Sequence, residues 1–533
     1  MTGRLSRRAA VGLGAALAAG PALGLGGEAR AAVPRGGKLI YARRADSLVL
    51  DPVFAESDAD IAILLSFYDT LLAPTQDGKG IGPGLATGWA FSKDAMTLTL
   101  TLRQGVRFAD GTYLNATDVK WSLDRARNPR NGAWAGFLAS IVDVAVVRPD
   151  SIAIRLDAPD PSILAALAAF NAAILPAAKV EAAPGKTAAQ KARGFALHPV
   201  GTGPFALAEW KRGEVMLLRR NPYYWKRAPD GGPLPYVDEI ELPIIPDDAA
   251  RLTTVKSGAV HGTEHVPFAA VKALLADPKL AVHLWPAART DYLALNCRPV
   301  LKGGRKNPMS DVRVRQALNH AVSKKVLVDL VTANLGTPAT SFMSAATPMH
   351  AGHEVPYPFD QALAKKLLAE AGFASGFELS AIVPAGSAGE ATLMSAVQRM
   401  WDAVGVKLKL EPLNRPTLAA RYAAGDYEVL PGAWADTIAD PAPAAAAFAY
   451  SPDIACLHSG WKDPTVDFLF VLSQKELDPA KRAAEYRKLQ EIYVSEAPIV
   501  FLYETPYRTV WRKPVNGFVK LPTGGNLFAE VSL

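Results

Sequence analysis

Cysteine is almost absent: Cys297 and Cys456 are the only two in 533 residues. So few thiols exclude a small disulfide-stapled scaffold. They leave open either one disulfide, closing a loop of about 160 residues, or two buried thiols. Histidine is scarce as well, with eight residues. His458 stands two residues from Cys456, but no HExxH, CxxC or helical His pair occurs, so neither a metal nor any other cofactor is expected. Charge of one sign is also lacking, because the formal +7 shrinks to +4 once residues 1–31 are set aside. That is too little to argue for a nucleic-acid partner. No repeat of twenty to fifty residues is found, which excludes solenoids.

Catalytic signatures are thin in the same way. The stretch Ala385-Gly386-Ser387-Ala388-Gly389 lacks the first glycine of the GxSxG elbow, and no Gly-rich loop ends in Lys-Ser or Lys-Thr. The glycine-rich segment 80–84 reads as a loop. The acidic pairs Asp238-Glu239 and Asp247-Asp248 read as solvated faces.

What is present is a large globular chain, half apolar and one-fifth charged, with 42 glycines and 41 prolines spread throughout. Its length predicts two or three packed domains with a crevice between them. Arg4, Arg7 and Arg8 precede an uncharged run at 9–25 that Gly12, Gly14, Gly20, Pro21 and Gly24 dilute, too short and too weakly apolar for a membrane span. With Ala29-Arg30-Ala31 as the cleavage site, residues 1–31 read as a signal peptide. Ser6-Arg7-Arg8 resembles a twin-arginine export signal, and an ordinary secretory n-region fits the same residues. No cysteine follows the cleavage site, so the mature protein is expected to carry no lipid anchor and to diffuse in a periplasm.

Strands and helices interleave, which makes the class α/β. Leu98, Leu100 and Leu102 alternate with Thr97, Thr99 and Thr101, and Ile152, Ile154 and Leu156 repeat the pattern, as half-buried strands do. Val312, Val314, Leu318, Val322, Val326 and Leu330 recur at helical spacing behind Asp311, and predict one helix capped by that residue. Asp360 opens a helix that ends at Gly372, and Asp478-Pro479 opens another carrying Tyr486, Gln490 and Tyr493 on one side. Arg313 and Arg315 lie opposite the apolar stripe, where surface ion pairs are expected. In Gly201-Thr202-Gly203-Pro204 the glycines are expected to supply backbone angles closed to other residues. Trp89, Trp121 and Trp225 are expected as core or domain-interface anchors.

Several segments together resemble the extracytoplasmic solute-binding proteins, family 5, of peptide- and nickel-type ABC transporters. They are Leu50-Asp51-Pro52, Phe67-Tyr68-Asp69-Thr70-Leu71, Leu102-Arg103-Gln104-Gly105-Val106, Thr117-Asp118-Val119-Lys120-Trp121, Pro199-Val200-Gly201-Thr202-Gly203-Pro204-Phe205, Arg220-Asn221-Pro222-Tyr223-Tyr224-Trp225, Val312-Arg313-Val314-Arg315-Gln316-Ala317-Leu318-Asn319 and Val515-Asn516-Gly517-Phe518. They occur in family order over nearly the full length. The resemblance implies a two-lobed periplasmic binding protein fold of the cluster C type, in which the first lobe is built from both ends of the chain. Lobe one would comprise 36–76, an extra subdomain at 77–197, then 198–285 and 502–533. Lobe two would span 290–497, with the chain passing between the lobes near 286–291 and 498–502.

The implied function is that of a non-enzymatic, monomeric receptor. It would hold a small organic solute or a peptide in the inter-lobe cleft and pass it to an inner-membrane ABC permease with its ATPase subunits. An exported hydrolase with a dispersed active site is the alternative class. By resemblance, Asp46 and Ser47 sit at the cleft, Tyr292 matches a hinge-side tyrosine, and Trp434 could stack on the ligand. Family peptide binders place an Asp three residues after the Trp to receive an ammonium; here that position holds Thr437, and Asp436 stands one residue early. The loop carrying Ser387 also lacks the arginine that dipeptide binders use. A neutral hydroxyl is a weaker receptor for a buried ammonium than a carboxylate. The expected ligand is therefore a non-dipeptide organic solute, or an oligopeptide held by its backbone.

Overall fold

The structure is a computed structural model that describes residues 33–352, 354–453 and 455–533. The signal peptide expected at 1–31 lies outside the described residues. Among those residues no helix is long and apolar enough to cross a membrane.

Two large sheets organise two lobes. The first has seven strands, with Lys38–Ala42 running parallel to both Glu239–Pro243 and Gly262–Thr263. Tyr507–Arg512, from the end of the chain, is not at the edge of this sheet; it pairs antiparallel with Gly262–Thr263 on one side and Leu280–Trp285 on the other. The second sheet has six strands. Arg289–Leu295 lies between Val429–Ala435 and Ile499–Glu504, and Phe377–Pro384 runs parallel to Val406–Leu413. A separate four-stranded antiparallel sheet forms from Ala86–Phe91, Thr97–Leu102, Ser151–Leu156 and Ile141–Arg148. On its core face Leu98, Leu100, Leu102, Ile152, Ile154 and Leu156 are buried, in keeping with the alternation.

The chain passes between the two large sheets twice. The first passage lies between Leu280–Trp285 and Arg289–Leu295. Before the second, helix Pro479–Glu496 ends in a left-handed cap at Ala497, and Ile499–Glu504 then continues as a strand of the second sheet. The passage is therefore at Thr505 and Pro506 instead of 498–502.

Local expectations divide along physical lines. Asp311 caps Val312–His320, accepting from the Arg313 amide at 2.9 Å, but the helix does not run on to Leu330. Ser323 breaks it by capping a second helix, Lys324–Thr332, whose new direction leaves Val326 half exposed at 50%. Arg313 forms the expected surface pair with Asp311. Arg315 forms an ion pair too, with Glu496 at 3.2 Å, but is 3% exposed and also donates to the carbonyls of Met309 and Glu496, where it satisfies the C-terminal end of helix Pro479–Glu496. Asp360 and Asp478 cap their helices as read, and Tyr486, Gln490 and Tyr493 are buried. The segment 80–84 is not only loop: Ile81–Pro83 pairs with Leu72–Pro74. Gly201 and Gly203 serve close approach, not a special backbone angle, since a Cβ on Gly203 would lie 2.5 Å from the Phe67 carbonyl carbon. Trp89, Trp121 and Trp225 pack, half-buried, against the apolar cores of lobe one.

Candidate ligand cleft

The two passages create a hinge, and the side chains around it come from segments far apart in sequence. In lobe two the segment after strand Val429–Ala435 turns back over the first passage. The Asp436 amide donates to the Ala288 carbonyl at 2.8 Å. The Asp436 carboxylate accepts from the Thr347 hydroxyl at 2.5 Å and from the Trp434 indole at 2.8 Å. Burial pushes this carboxyl up to about 7, against the pull of those two donors. Four residues further on, Asp440 is 6% exposed at its side chain and holds Arg482, itself 4% exposed, in a two-pronged pair at 2.6 and 2.9 Å. Segment 436–440 is thus pinned at both ends.

Its middle reaches the other lobe. Ile438 is 4% exposed and packs with Ala165 and Ala169, with Ile81 and Phe137 beside them. Thr437, Ile438 and Ala439 face Leu65, Phe170 and Leu521 of lobe one across a narrow cavity of about 30 Å³. The two lobes therefore share an apolar contact near the first passage.

The second passage has its own clamp. Glu504, the last strand residue before Thr505, accepts from the Ala345 amide and lies 3.0 Å from the Ser344 hydroxyl, whose single proton is shared between this carboxylate and the Ala287 carbonyl at 2.9 Å. Burial pushes Glu504 up to about 7. Cations gather here as well. Arg289 pairs with Asp291 at 3.0 Å. Arg508 is brought down to about 10 by burial and by repulsion from Arg289. His265 is lowered by burial and, after the opposing pull of Glu264, by Lys520, Arg44 and Arg508.

Of the residues singled out from sequence, four form one connected chain. Tyr292, buried, meets Phe448 edge-on at 4.9 Å, and Phe448 meets the Trp434 ring at 5.8 Å. Trp434 donates to Asp436, and Thr437 follows at the cavity wall. Tyr292 packs so closely on the strand that only glycine fits at Gly432: a Cβ there would be 2.8 Å from the ring. Asp46 and Ser47 lie in lobe one with internal partners. The Asp46 carboxylate accepts from Trp210, Gly213 and Ser47, and Ser47 joins Arg43 to the Ala59 carbonyl. Ser387 stands at the head of helix Ala388–Asp402, in a groove with Pro384, Gly386, Met394 and Pro412. Sequence reasoning missed Thr347, Ile438, Glu504 and Arg482. Only Glu504 left a trace, as a charge closing an otherwise apolar strand before a proline. Cys297 and Cys456 are both free thiols. Among the described residues no group of three His, Cys, Asp or Glu could hold a metal ion.

Asp436 offers a test by pH. A carboxyl raised in the folded state binds its proton more tightly there than in the unfolded chain, so it lowers stability as pH climbs from about 4 to about 7. Asp436→Asn is expected to remove that part of the slope. Chemical denaturation of both proteins from pH 4.5 to 7.5 should show the wild type losing stability relative to the variant; parallel curves would refute the assignment.

Comparison with known proteins agrees with this architecture. The chain is 26% identical over 539 aligned positions to the glutathione-binding protein GsiB of Salmonella typhimurium, covering 98% of each chain. HbpA2 from Haemophilus parasuis superposes with a TM-score of 0.82 at 25% identity, over 93% of this chain and all of the other. NikA from Brucella suis, solved with Fe(III)-EDTA, gives 0.81 at 24% over 93% and 99%, a likeness of fold. The family model for bacterial extracellular solute-binding proteins, family 5, matches residues 80–455, and the chain belongs to that family.

Proposed function

We propose that the protein is the solute receptor of an ABC importer, exported to the periplasm as a monomer without a lipid anchor. It binds a small organic solute or a peptide between its lobes and presents the closed form to a membrane permease. The observation that carries this reading is the paired passage beside Ala288 and Thr505, with lobe two's 437–439 seated on lobe one. Two bodies joined by two short strands of chain can close on a ligand only in so far as that ligand contacts both bodies better when they are shut.

The electrostatics narrow the ligand. Arg289, Arg508 and Arg44 gather around the passages, and Arg289 repels Arg508. A ligand carboxylate would relieve that repulsion. The half-buried face of Trp434 supplies an apolar wall. Together these favour a peptide-like or other amide-bearing solute with at least one carboxylate, a class to which the ligand named for the glutathione-binding relative belongs.

Small molecules released by denaturing the purified mature protein, identified by mass spectrometry, should belong to this class. Adding the released compound back should compact the protein in small-angle scattering. Trp434→Ala should weaken its binding about tenfold or more with the fold retained. A wild-type affinity in that variant would remove Trp434 from the site, and turnover of the compound would replace the receptor by the hydrolase alternative.

A further inference from the structure

Four segments that stand out in the sequence, at 67–71, 199–205, 220–225 and 515–518, do not meet at the cleft. They converge in lobe one on Asp69. Its Oδ2 accepts from the Thr202 hydroxyl at 2.8 Å and from the Trp225 indole at 3.0 Å, while among the described residues no hydrogen bond ends on Oδ1. Beside this carboxylate is a cavity of about 160 Å³, walled by Tyr68, Pro74, Tyr224 and Phe528 and roofed by the C-terminal tail through Gly517 and Val519. Apolar cavities of about 150 Å³ admit benzene.

The cations near Asp69 have other partners. Lys226, which lines the same cavity as Glu530, pairs with that carboxylate at 3.6 Å. Arg103 lies 4.2 Å over the face of Trp225 and donates to the Gly84 carbonyl. Burial still pushes the Asp69 carboxyl up to about 6, against two hydrogen bonds and both cations. Burial also raises Tyr224, and the carboxylates of Asp69 and Glu530 raise it further, which places its hydroxyl within their field. A half-buried carboxylate with a free oxygen, set at the wall of a largely aromatic cavity, is under-compensated where little water reaches it.

The geometry points to a second ligand site in lobe one, outside the cleft, for a benzene-sized organic cation: its ammonium meets Oδ1 of Asp69 and its apolar body fills the space against Tyr224 and Pro74. A charge-assisted hydrogen bond to the free oxygen supplies the orientation, and the aromatic wall favours a cation over a neutral guest of the same shape. This inference is independent of what the cleft binds.

The probe is benzylamine, titrated into the mature protein by calorimetry, with benzyl alcohol as the neutral guest of matching shape. Benzylamine is expected to bind one equivalent in the millimolar range. Benzyl alcohol should bind the wild type at least tenfold more weakly, and benzylamine should bind Asp69→Asn at least tenfold more weakly. Ala73→Phe, which fills the cavity and leaves the charge, should abolish binding. Ala73→Phe also covers the case in which Asp69→Asn loosens the contacts to Thr202 and Trp225. Equal affinity for amine and alcohol, retention of binding in Ala73→Phe, or no saturable binding of benzylamine would each overturn the proposal. Ligand-driven compaction at the cleft would survive any of those outcomes, so the two sites fail separately.

Discussion

Asp440→Ala is expected to destabilise the protein by about 3–5 kcal/mol. The change leaves the Arg482 guanidinium buried with one wall of its site removed. The Ser473 carbonyl, 3.0 Å from its Nε, cannot replace a carboxylate that took two bonds. The cost is one of breaking a buried pair, not a measure of what the pair contributes over an apolar substitute. The double variant Asp440→Leu with Arg482→Met should therefore recover much of the loss. Urea denaturation followed by tryptophan fluorescence reads both. A single-variant loss below about 1 kcal/mol would show that the pair is solvated in solution and does not anchor segment 436–440.

Ile438→Asp is expected to hold the lobes apart. In the closed form the new carboxylate would sit among Ala165, Ala169 and Phe137 with no partner, and in the open form it would meet water. Because the closed state is the one that grips ligand, its apparent affinity falls with the closed fraction, and a tenfold loss needs only about 1.4 kcal/mol of bias. Solute affinity should drop tenfold or more, and the radius of gyration with ligand should stay near the unliganded value. Thermal stability of each lobe should hold, since Ile438 belongs to neither large core. Wild-type affinity in Ile438→Asp would mean that the apolar contact plays no part in closure.

Much of the secondary structure was legible because its causes are local. The alternation of Leu98, Leu100 and Leu102 with threonines, and the capping carboxylates of Asp311, Asp360 and Asp478, need no distant partner. What failed to show depends on distant partners. Ser323 breaks a helix whose apolar spacing continues past it, because one hydroxyl that caps the next turn outweighs a weak periodic signal. Arg315 looks like a surface residue until the last carbonyl of a helix 181 positions away arrives to meet it. The glycines of 201–203 were marked, but for the wrong physical reason: the backbone at Phe67 passes too close for a Cβ.

The site divides in the same way. Trp434, Asp436 and Thr437 were marked because they adjoin one another at the end of a strand, Val429–Ala435, whose family resemblance was visible. Thr347, Glu504 and Ile438 carry no local signature: a threonine, a strand-ending acid and an isoleucine in a loop become a clamp and a contact only through the meeting of four segments. The family segments at 67–71, 199–205 and 220–225 read as strong markers, yet they gather around Asp69 and not at the cleft.

The position of Tyr507–Arg512 inside the seven-stranded sheet bears on how the chain is made. Everything needed for the six-stranded sheet lies between Arg289 and Glu504, one unbroken stretch that can assemble as soon as it is complete. The other sheet begins at Lys38 and cannot be finished until almost the last residue has been synthesised, so its early strands wait with Gly262–Thr263 and Leu280–Trp285 lacking the partner that joins them. The seven-stranded sheet is thus the later of the two large sheets to be completed, although most of its strands are made first.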